Sequence, residues 1–391
     1  MTWPANATPD HLLDSDKAAG FEISYEFKPF NQMNDMFTRA MWDDTVKSEH
    51  TDGFFASYRM EAAPRRGEGF SQRDFALRNA AWLVSDIISN RAADKGLREG
   101  FQGAIENDTP VAPMKAELGT PEEESLEIKR LAKFFGADLC GITHIDPRWH
   151  YSHRPDTKAM KAVPNELPEG LSHVIVMGHE MDKALVDTYP SALAGAATGR
   201  EYSHEAAIVM QLAAYIRNLG YQAIASMNDT ALVIPYAIKA GLGEYGRNQM
   251  VLTPEFGPRV RFSKIFTDMP LDVDVVRELG LTSYCQGCTI CADACPPKAL
   301  PKGAPEFHGD SPSTVKGVKK WSANCEACFG YWAKLKTDCA ICMRVCPFNQ
   351  HSNGSLWYAV ATSRFRRLAQ WWATRNKPQR LKPSQWWADR R

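Results

Sequence analysis

Apolar residues recur at helical spacing in three stretches of this chain and form dense strand-like runs in three others. The best-signalled helix starts at Thr120. Thr120 and Glu123 form a capping box, Pro121 occupies the first turn, and Gly136 follows the last apolar residues. Leu126, Ile128, Leu131 and Phe135 are its predicted core face. A second stripe, Ile208, Leu212, Ile216 and Leu219, predicts a helix that begins after Ser203 and stops at Gly220. A third helix is predicted over about Thr230–Ala240, closing on Gly241-Leu242-Gly243. The strand-like runs are Leu139–Ile145, His173–Gly178 and Ala223–Met227. Their alternation with helices predicts a mixed core over residues 120–281. Residues 1–119 are rich in Phe, Trp, Asp and Arg, with weak periodicity apart from a helix near Asp74–Asn90.

Charge and composition narrow the class. Forty-six Lys and Arg balance forty-six Asp and Glu, so no global field draws the chain to nucleic acid. No apolar run approaches the roughly 20 residues that a membrane helix needs. The start, Met1-Thr2-Trp3-Pro4-Ala5-Asn6, has neither a basic segment nor an apolar one, and Arg65-Arg66 is followed by no apolar run. A cytoplasmic protein is the expectation.

Chemistry enters with the ten cysteines. Cys285, Cys288, Cys291 and Cys295-Pro296 make one C-x2-C-x2-C-x3-C-P run. Cys339, Cys342 and Cys346-Pro347 close a second, whose first member is Cys328 or its neighbour Cys325. Iron–sulfur clusters take three thiolates from one tight loop and a fourth from afar, and in two-cluster ferredoxins the last cysteine of each run serves the other cluster. Cys285, Cys288 and Cys291 therefore pair with Cys346, and Cys328, Cys339 and Cys342 with Cys295. Structural zinc would use paired C-x2-C knuckles and calls for neither a third close cysteine nor a trailing proline. Disulfides need an oxidising compartment and an export signal. Cys140, inside the apolar run from Ala137 to Ile142, reads as a buried strand cysteine.

A ferredoxin needs few residues, so those ahead of the cysteines must hold what the clusters serve. The segment Ala240-Gly-Leu-Gly-Glu-Tyr-Gly-Arg-Asn-Gln-Met250 contains glycines that would let backbone approach a flat ligand or a phosphate, or simply form a tight turn. It follows a helix, not a strand, and so does not match the dinucleotide fingerprint. By residue type alone, Tyr202 reads as a helix-start tyrosine over core, Arg261 as a surface arginine on a strand, and Asn228 as an N-cap. The tail Ser363–Arg391 holds nine Lys and Arg against one Asp, with the pairs Trp371-Trp372 and Trp386-Trp387. A membrane or nucleic-acid surface would suit it; the favoured reading has it wrapping its own protein, tryptophans inward.

Taken in order, AGLGEYGRNQM, Leu252-Thr-Pro-Glu-Phe-Gly-Pro-Arg-Val-Arg261, Phe266-Thr-Asp-Met-Pro-Leu271 and the two cysteine runs resemble the reductive dehalogenases, corrinoid-dependent iron–sulfur enzymes. Cys328-Phe-Gly-Tyr-Trp332 and Cys346-Pro-Phe-Asn349 look like that family's second cluster motif, which favours Cys328 over Cys325. The resemblance spans roughly residues 120–350. It implies an α+β fold: a nitroreductase-like core over 120–281 holding base-off cobalamin, and a bacterial-ferredoxin-like domain over 282–350 carrying two [4Fe–4S] clusters. Residues 1–119 would cover the corrinoid and substrate pocket, and 351–391 form the basic tail. It further implies a catalytic tyrosine, Tyr202, at the start of the helix after Gly199-Arg200-Glu201, with Asn228 and Arg261 as partners and Arg259 as a rival. Gly243, Tyr245, Gly246, Arg247 and Asn248 would contact cobalamin. Pocket walls are expected from residues 1–119 and from aromatics such as Trp42 or Trp149. No Asp-x-His-x-x-Gly run is present, so the cobalt's axial ligand is not expected to be a protein histidine.

Respiratory members carry an export signal that this chain lacks, so it looks like the cytoplasmic, catabolic type acting on halophenols or similar halogenated aromatics. Some of these carry a fused reductase module, whereas this chain ends at Arg391; a separate reductase or ferredoxin is the expected donor. An epoxyqueuosine-reductase-like enzyme acting on tRNA is the rival. It would show Gly-Trp-x-Gly-Lys where this chain has Gly243-Glu-Tyr-Gly-Arg247. A non-catalytic corrinoid or electron-transfer protein is the third reading.

Overall fold

The computed structural model describes residues 8–58, 67–93, 109–351 and 353–389. The Met1–Asn6 start and the Arg65–Arg66 pair lie outside them. Among the described residues of the N-terminal region, four α-helices form: α1 (Asp10–Ala18), α2 (Met36–Trp42), α3 (Glu49–Ala56) and α4 (Gln72–Ala93). They cover the core and do not form a separate body. Asp16 at the end of α1 pairs with Lys239 at 2.6 Å and Arg148 at 2.8 Å, and both cations also meet buried Asp146. Charges this buried are tolerable only when fully paired, so the network pins α1 in one place.

Helix α5 (Pro121–Phe135) forms as its caps predict: Thr120 and Glu123 exchange both capping-box bonds, and Gly136 adopts φ +116°. Ile128 is fully buried and Leu131 and Phe135 pack beside it, but Leu126 is 62 % exposed. Position 126 is two residues from 128, about 200° around the helix, and so leaves the stripe.

The central sheet contains β1 (Leu139–His144), β2 (His173–Glu180), β3 (Ala223–Ser226) and β4 (Val260–Thr267) in the order β1-β2-β4-β3, every pair antiparallel. Between β2 and β3 runs α6 (Gly195–Asn218), and α7 (Val233–Lys239) follows β3. One sheet face, with Ile142, Ile175, Met177 and Ile265, packs on Ile208, Leu212 and Ile216 of α6. The other, with Val174, Val176, Phe262 and Phe266, packs on Tyr236 and Ile238 of α7. Helices on both faces explain why β2 and β4 are buried almost throughout and show no alternation.

Beyond the sheet lies the cysteine domain, with α8 (Leu281–Gly287), α9 (Cys325–Leu335) and short helical turns between them. Phe37 and Phe54 of the N-terminal helices pack on Phe329 and Trp332 of α9. Asp338, beside Cys339, accepts bonds from Tyr189 at 2.5 Å and from Thr198 of α6 at 2.6 Å. This buried knot ties the cysteine domain to the core. In the tail, α10 (Arg366–Arg375) leaves Trp371 and Trp372 exposed, contrary to the inward expectation. Trp386 and Trp387 do turn inward, and Trp387 donates to Asp74 at 2.8 Å. Among the described residues, no helix is long and apolar enough to cross a membrane.

Candidate active site

A cavity of about 880 Å³ opens between the N-terminal helices, the sheet and the cysteine domain. Its walls combine Phe21, Gln32 and Phe37, Trp149 and Tyr151, and Thr282, Ser283 and Trp321 from the three regions. Trp149 therefore lies on the wall, but Trp42 does not; its indole nitrogen instead bonds the Met33 carbonyl at 3.0 Å.

Tyr202, Asn228 and Arg261 meet on this wall. The Asn228 amide donates to the Tyr202 hydroxyl at 2.5 Å, and the Arg261 guanidinium carbon lies 4.0 Å from the tyrosine ring centroid. Trp82 of α4 stacks on the same ring, centroids 4.6 Å apart and planes at 27°. The rival Arg259 is engaged elsewhere, with Glu180, the Met181 carbonyl and Asn349. Tyr202 does not start its helix as expected: α6 begins seven residues earlier, at Gly195. Gly195 and Gly199 look like helix breakers in sequence. Position 199 is glycine because a Cβ there would stand 2.3 Å from Trp82 Cδ1, so close helix packing outweighs the propensity penalty. Trp82 itself was not predicted; its only signal was membership of a weak helical stretch.

Burial also acts on the residue before the tyrosine. It pushes the Glu201 carboxyl up to about 7 despite nearby Arg200, helped by Asp138, Glu180 and Asp182. An acid raised from 4.5 to about 7 in the folded state binds a proton that the unfolded chain has released, so its contribution to stability falls as pH rises through that window. Glu201→Gln is expected to flatten the decline of Tm between about pH 4.5 and 7 relative to wild type, as thermal melts across that range would show.

Of the five residues expected to wrap the corrinoid, Tyr245 lines the cavity and donates to the Trp321 carbonyl at 3.0 Å. Gly243, Gly246, Arg247 and Asn248 are not on the wall. A Cβ at Gly243 would meet the Leu252 carbonyl at 2.3 Å, so the glycines serve the turn between Glu244–Tyr245 and Val251–Leu252. Asn248 is buried in that turn and accepts from the Met250 amide at 3.4 Å. Arg247 is buried and faces the cysteine loop. It donates to the carbonyls of Cys285 and Cys288 at 2.8 Å and of Pro301 and Gly303 at 3.0 and 2.8 Å. Its guanidinium also sits 4.8 Å from the Trp321 ring centroid.

None of the ten cysteines is disulfide-bonded. Burial, then the charges of Cys285, Cys291 and Cys288, pushes the Cys346 thiol well up. Burial and, in order, Cys328, Cys339, Cys291 and Cys295 act likewise on Cys342. Cysteines of the first run thus act on Cys346 and on Cys342, so the two runs face one another. Thiols held so high together require cationic iron to become thiolates, which fits the donor set of two clusters. Cys325 instead lies within 4 Å of Thr314 Oγ1 and of the carbonyls of Ser313 and Ala323. Cys140 sits on β1, its thiol pushed up to about 12 by burial. Thr282 and Ser283 on the wall lie three and two residues before Cys285, so the first cysteine run adjoins the cavity.

Residues 284–349, which include all eight motif cysteines, match the family described as a 4Fe-4S double cluster binding domain. Residues 154–271, with Tyr202, Asn228 and Arg261, match the family described as reductive dehalogenase subunit. The tetrachloroethene reductive dehalogenase of Sulfurospirillum multivorans is 35 % identical over 262 residues, covering 61 % of this chain and 52 % of that protein. Over residues 154–271 the chain is similar to the reductive dehalogenase family. It spans about half the length of these curated dehalogenases. The catabolic reductive dehalogenase NpRdhA superposes with a TM-score of 0.68 at 22 % identity, over 89 % of this chain and 46 % of that one, and shares the fold. A more distant relative, the epoxyqueuosine reductase of Leadbetterella byssophila, is 25 % identical over 58 % of this chain and 80 % of its own length. The α+β class and the double-cluster domain stand, with the dehalogenase segment and the cluster segment in the order the motifs predicted.

Proposed function

We propose that this chain replaces halogen by hydrogen on an organohalide, with halogenated aromatics such as halophenols as the substrate class. Cobalamin in its base-off form would occupy the cavity, and a separate reductase or ferredoxin would feed the clusters. The observation that carries this reading is the meeting of Tyr202, Asn228 and Arg261 on the wall of a cavity that adjoins the cluster domain. The cavity suits a large amide-bearing ligand. At about 880 Å³ it lies near the top of the usual ligand range, and Gln32 Oε1 and Trp149 Nε1 are buried on its wall without a partner. A B12-dependent mechanism is described for a structural neighbour.

Bound cobalamin would supply the low-valent metal that attacks the carbon–halogen bond. The overall change takes two electrons and one proton and yields the dehalogenated compound and a halide ion. Tyr202 would donate the proton from its hydroxyl. A phenol is a weak acid at neutral pH, so the phenolate left behind must be stabilised. The Asn228 amide hydrogen-bonds that oxygen, and the Arg261 charge lies against the ring. Aromatic walls from Phe21, Phe37, Trp149 and Tyr151 would favour a planar substrate by stacking. No substrate is expected to be nucleic acid, and the tRNA reading is supported by lower identity than the dehalogenase one.

The test is anaerobic reconstitution with cobalamin, iron and sulfide, reduction by a viologen, and halide release from a panel of bromophenols. Release at turnover is the expected outcome. No release across the panel, with reduction of epoxyqueuosine in tRNA, would overturn the proposal.

A further inference from the structure

The loop that presents Asn228, residues 227–230, is held by side chains from four directions. Lys264 Nζ donates to the Met227 carbonyl at 2.7 Å, and the Tyr151 hydroxyl donates to the Asn228 carbonyl at 3.1 Å. Ser226 Oγ donates to the Asp229 carbonyl at 2.5 Å, and the Asn165 amide to the Thr230 carbonyl at 2.9 Å. Thr230 sits at φ +75°, a left-handed conformation that a β-branched residue adopts only when its surroundings impose it.

Lys264 is the charged member of this clamp, and its place is unusual. It lies on β4, opposite Ser226 of β3 and Val176 of β2, with no solvent exposure. Arg261 and Lys264 are three residues apart on one strand, so they leave opposite faces of the sheet. Arg261 reaches Tyr202 on the α6 side, while Lys264 passes beneath to the loop. A methionine would fill the same volume without the cost of burying an ammonium group, so the lysine's donors must matter to the site.

We propose that Lys264 is a positioning residue for the Tyr202 site: by fixing the Met227 carbonyl it sets the Asn228 amide against the tyrosine hydroxyl. This rests on the reading of Tyr202 as proton donor. The charged and titratable groups that face Lys264 are Glu205 from α6, Asp229 from the loop, and His150, which follows the turn after β1. His150 is pushed down to about 4 by burial and stays neutral near pH 7. Burial also pushes Lys264 down to about 7, against the pull of Asp229 and Glu205. Below that pH the bond to the carbonyl is charge-assisted; above it, a neutral amine makes a weaker one.

Two measurements test this on the full chain loaded with clusters and cobalamin. Hydrogen–deuterium exchange over residues 226–232 needs no substrate. Lys264→Met is expected to speed it roughly tenfold or more, and Lys264→Gln, which keeps a donor, by less. With a bromophenol and reduced viologen, Lys264→Met should lower kcat between roughly ten- and a hundredfold with KM little changed. It should also abolish any fall in wild-type kcat above about pH 7. Unchanged exchange in both variants overturns the proposal. So does an unchanged kcat and pH profile in a background where Tyr202→Phe is inactive. A fully active Tyr202→Phe would instead overturn the proton-donor reading, leaving the exchange result to judge Lys264 alone. Should Lys264→Met fail to fold, Lys264→Gln carries both measurements.

Discussion

Tyr202→Phe is expected to lower kcat for halide release by roughly 10²–10⁴-fold, the range that a positioned general acid contributes. Removing one hydroxyl leaves the ring in place. The Trp82 stack and the Arg261 contact act on the ring face and should survive, so the fold and substrate affinity should too. Pre-steady-state traces separate the possibilities: the clusters should still reduce at the wild-type rate while product formation stalls. A rate within a few-fold of wild type would remove Tyr202 from the chemistry. Asn228→Ala should fall between the two, because it leaves the acid in place but strips the 2.5 Å bond that steadies its conjugate base.

How much of this was legible in the sequence depends on whether the signal is local. The α5 caps and the cysteine runs were readable because their partners lie within a few residues of each other. The start of α6 was not. Glycine at 195 and 199 is unfavourable in a helix taken alone, and only groups distant in sequence explain it: Asp338 and Arg78 against position 195, and Trp82 against position 199. The strand β4 was foreseen only in that Arg261 reads as a strand residue, and its extent was hidden for a related reason: buried on both faces, it mixes Arg261, Ser263 and Lys264 with apolar residues, and each polar side chain has a partner from another element. Arg247 shows the same limit in a functional residue. Its place near Tyr245 suggested the cavity, but strand pairing ends at Tyr245, and in the turn that follows Arg247 ends against the carbonyls of the cluster loop. The tail divided for want of any local rule. Trp386 and Trp387 found α4 to pack on, while Trp371 and Trp372 did not.

The two cysteines three residues apart at the start of α9 give the second large effect. Cys328→Ala is expected to lose one of two clusters, so iron and sulfide should fall to about half and turnover should stop. Cys325→Ala should keep both clusters and most of the activity. The reason is where each thiol points. The groups acting on the Cys328 thiol, after burial, are Cys339, then Cys295, members of its own set of four, and only last the neighbouring Cys325. Cys325 is surrounded instead by Thr314, Ser313 and Ala323, an oxygen environment without a second thiol in hydrogen-bond range. Three residues along a helix is also nearly a full turn, so both side chains leave the same face at different heights and a rival ligand is geometrically close. That proximity sharpens the measurement: if Cys325 were to substitute for a missing Cys328, the single variant would retain its iron and only the double variant Cys328→Ala/Cys325→Ala would lose it. Full cluster content in the double variant would remove α9 from the ligand set and send the fourth thiolate elsewhere.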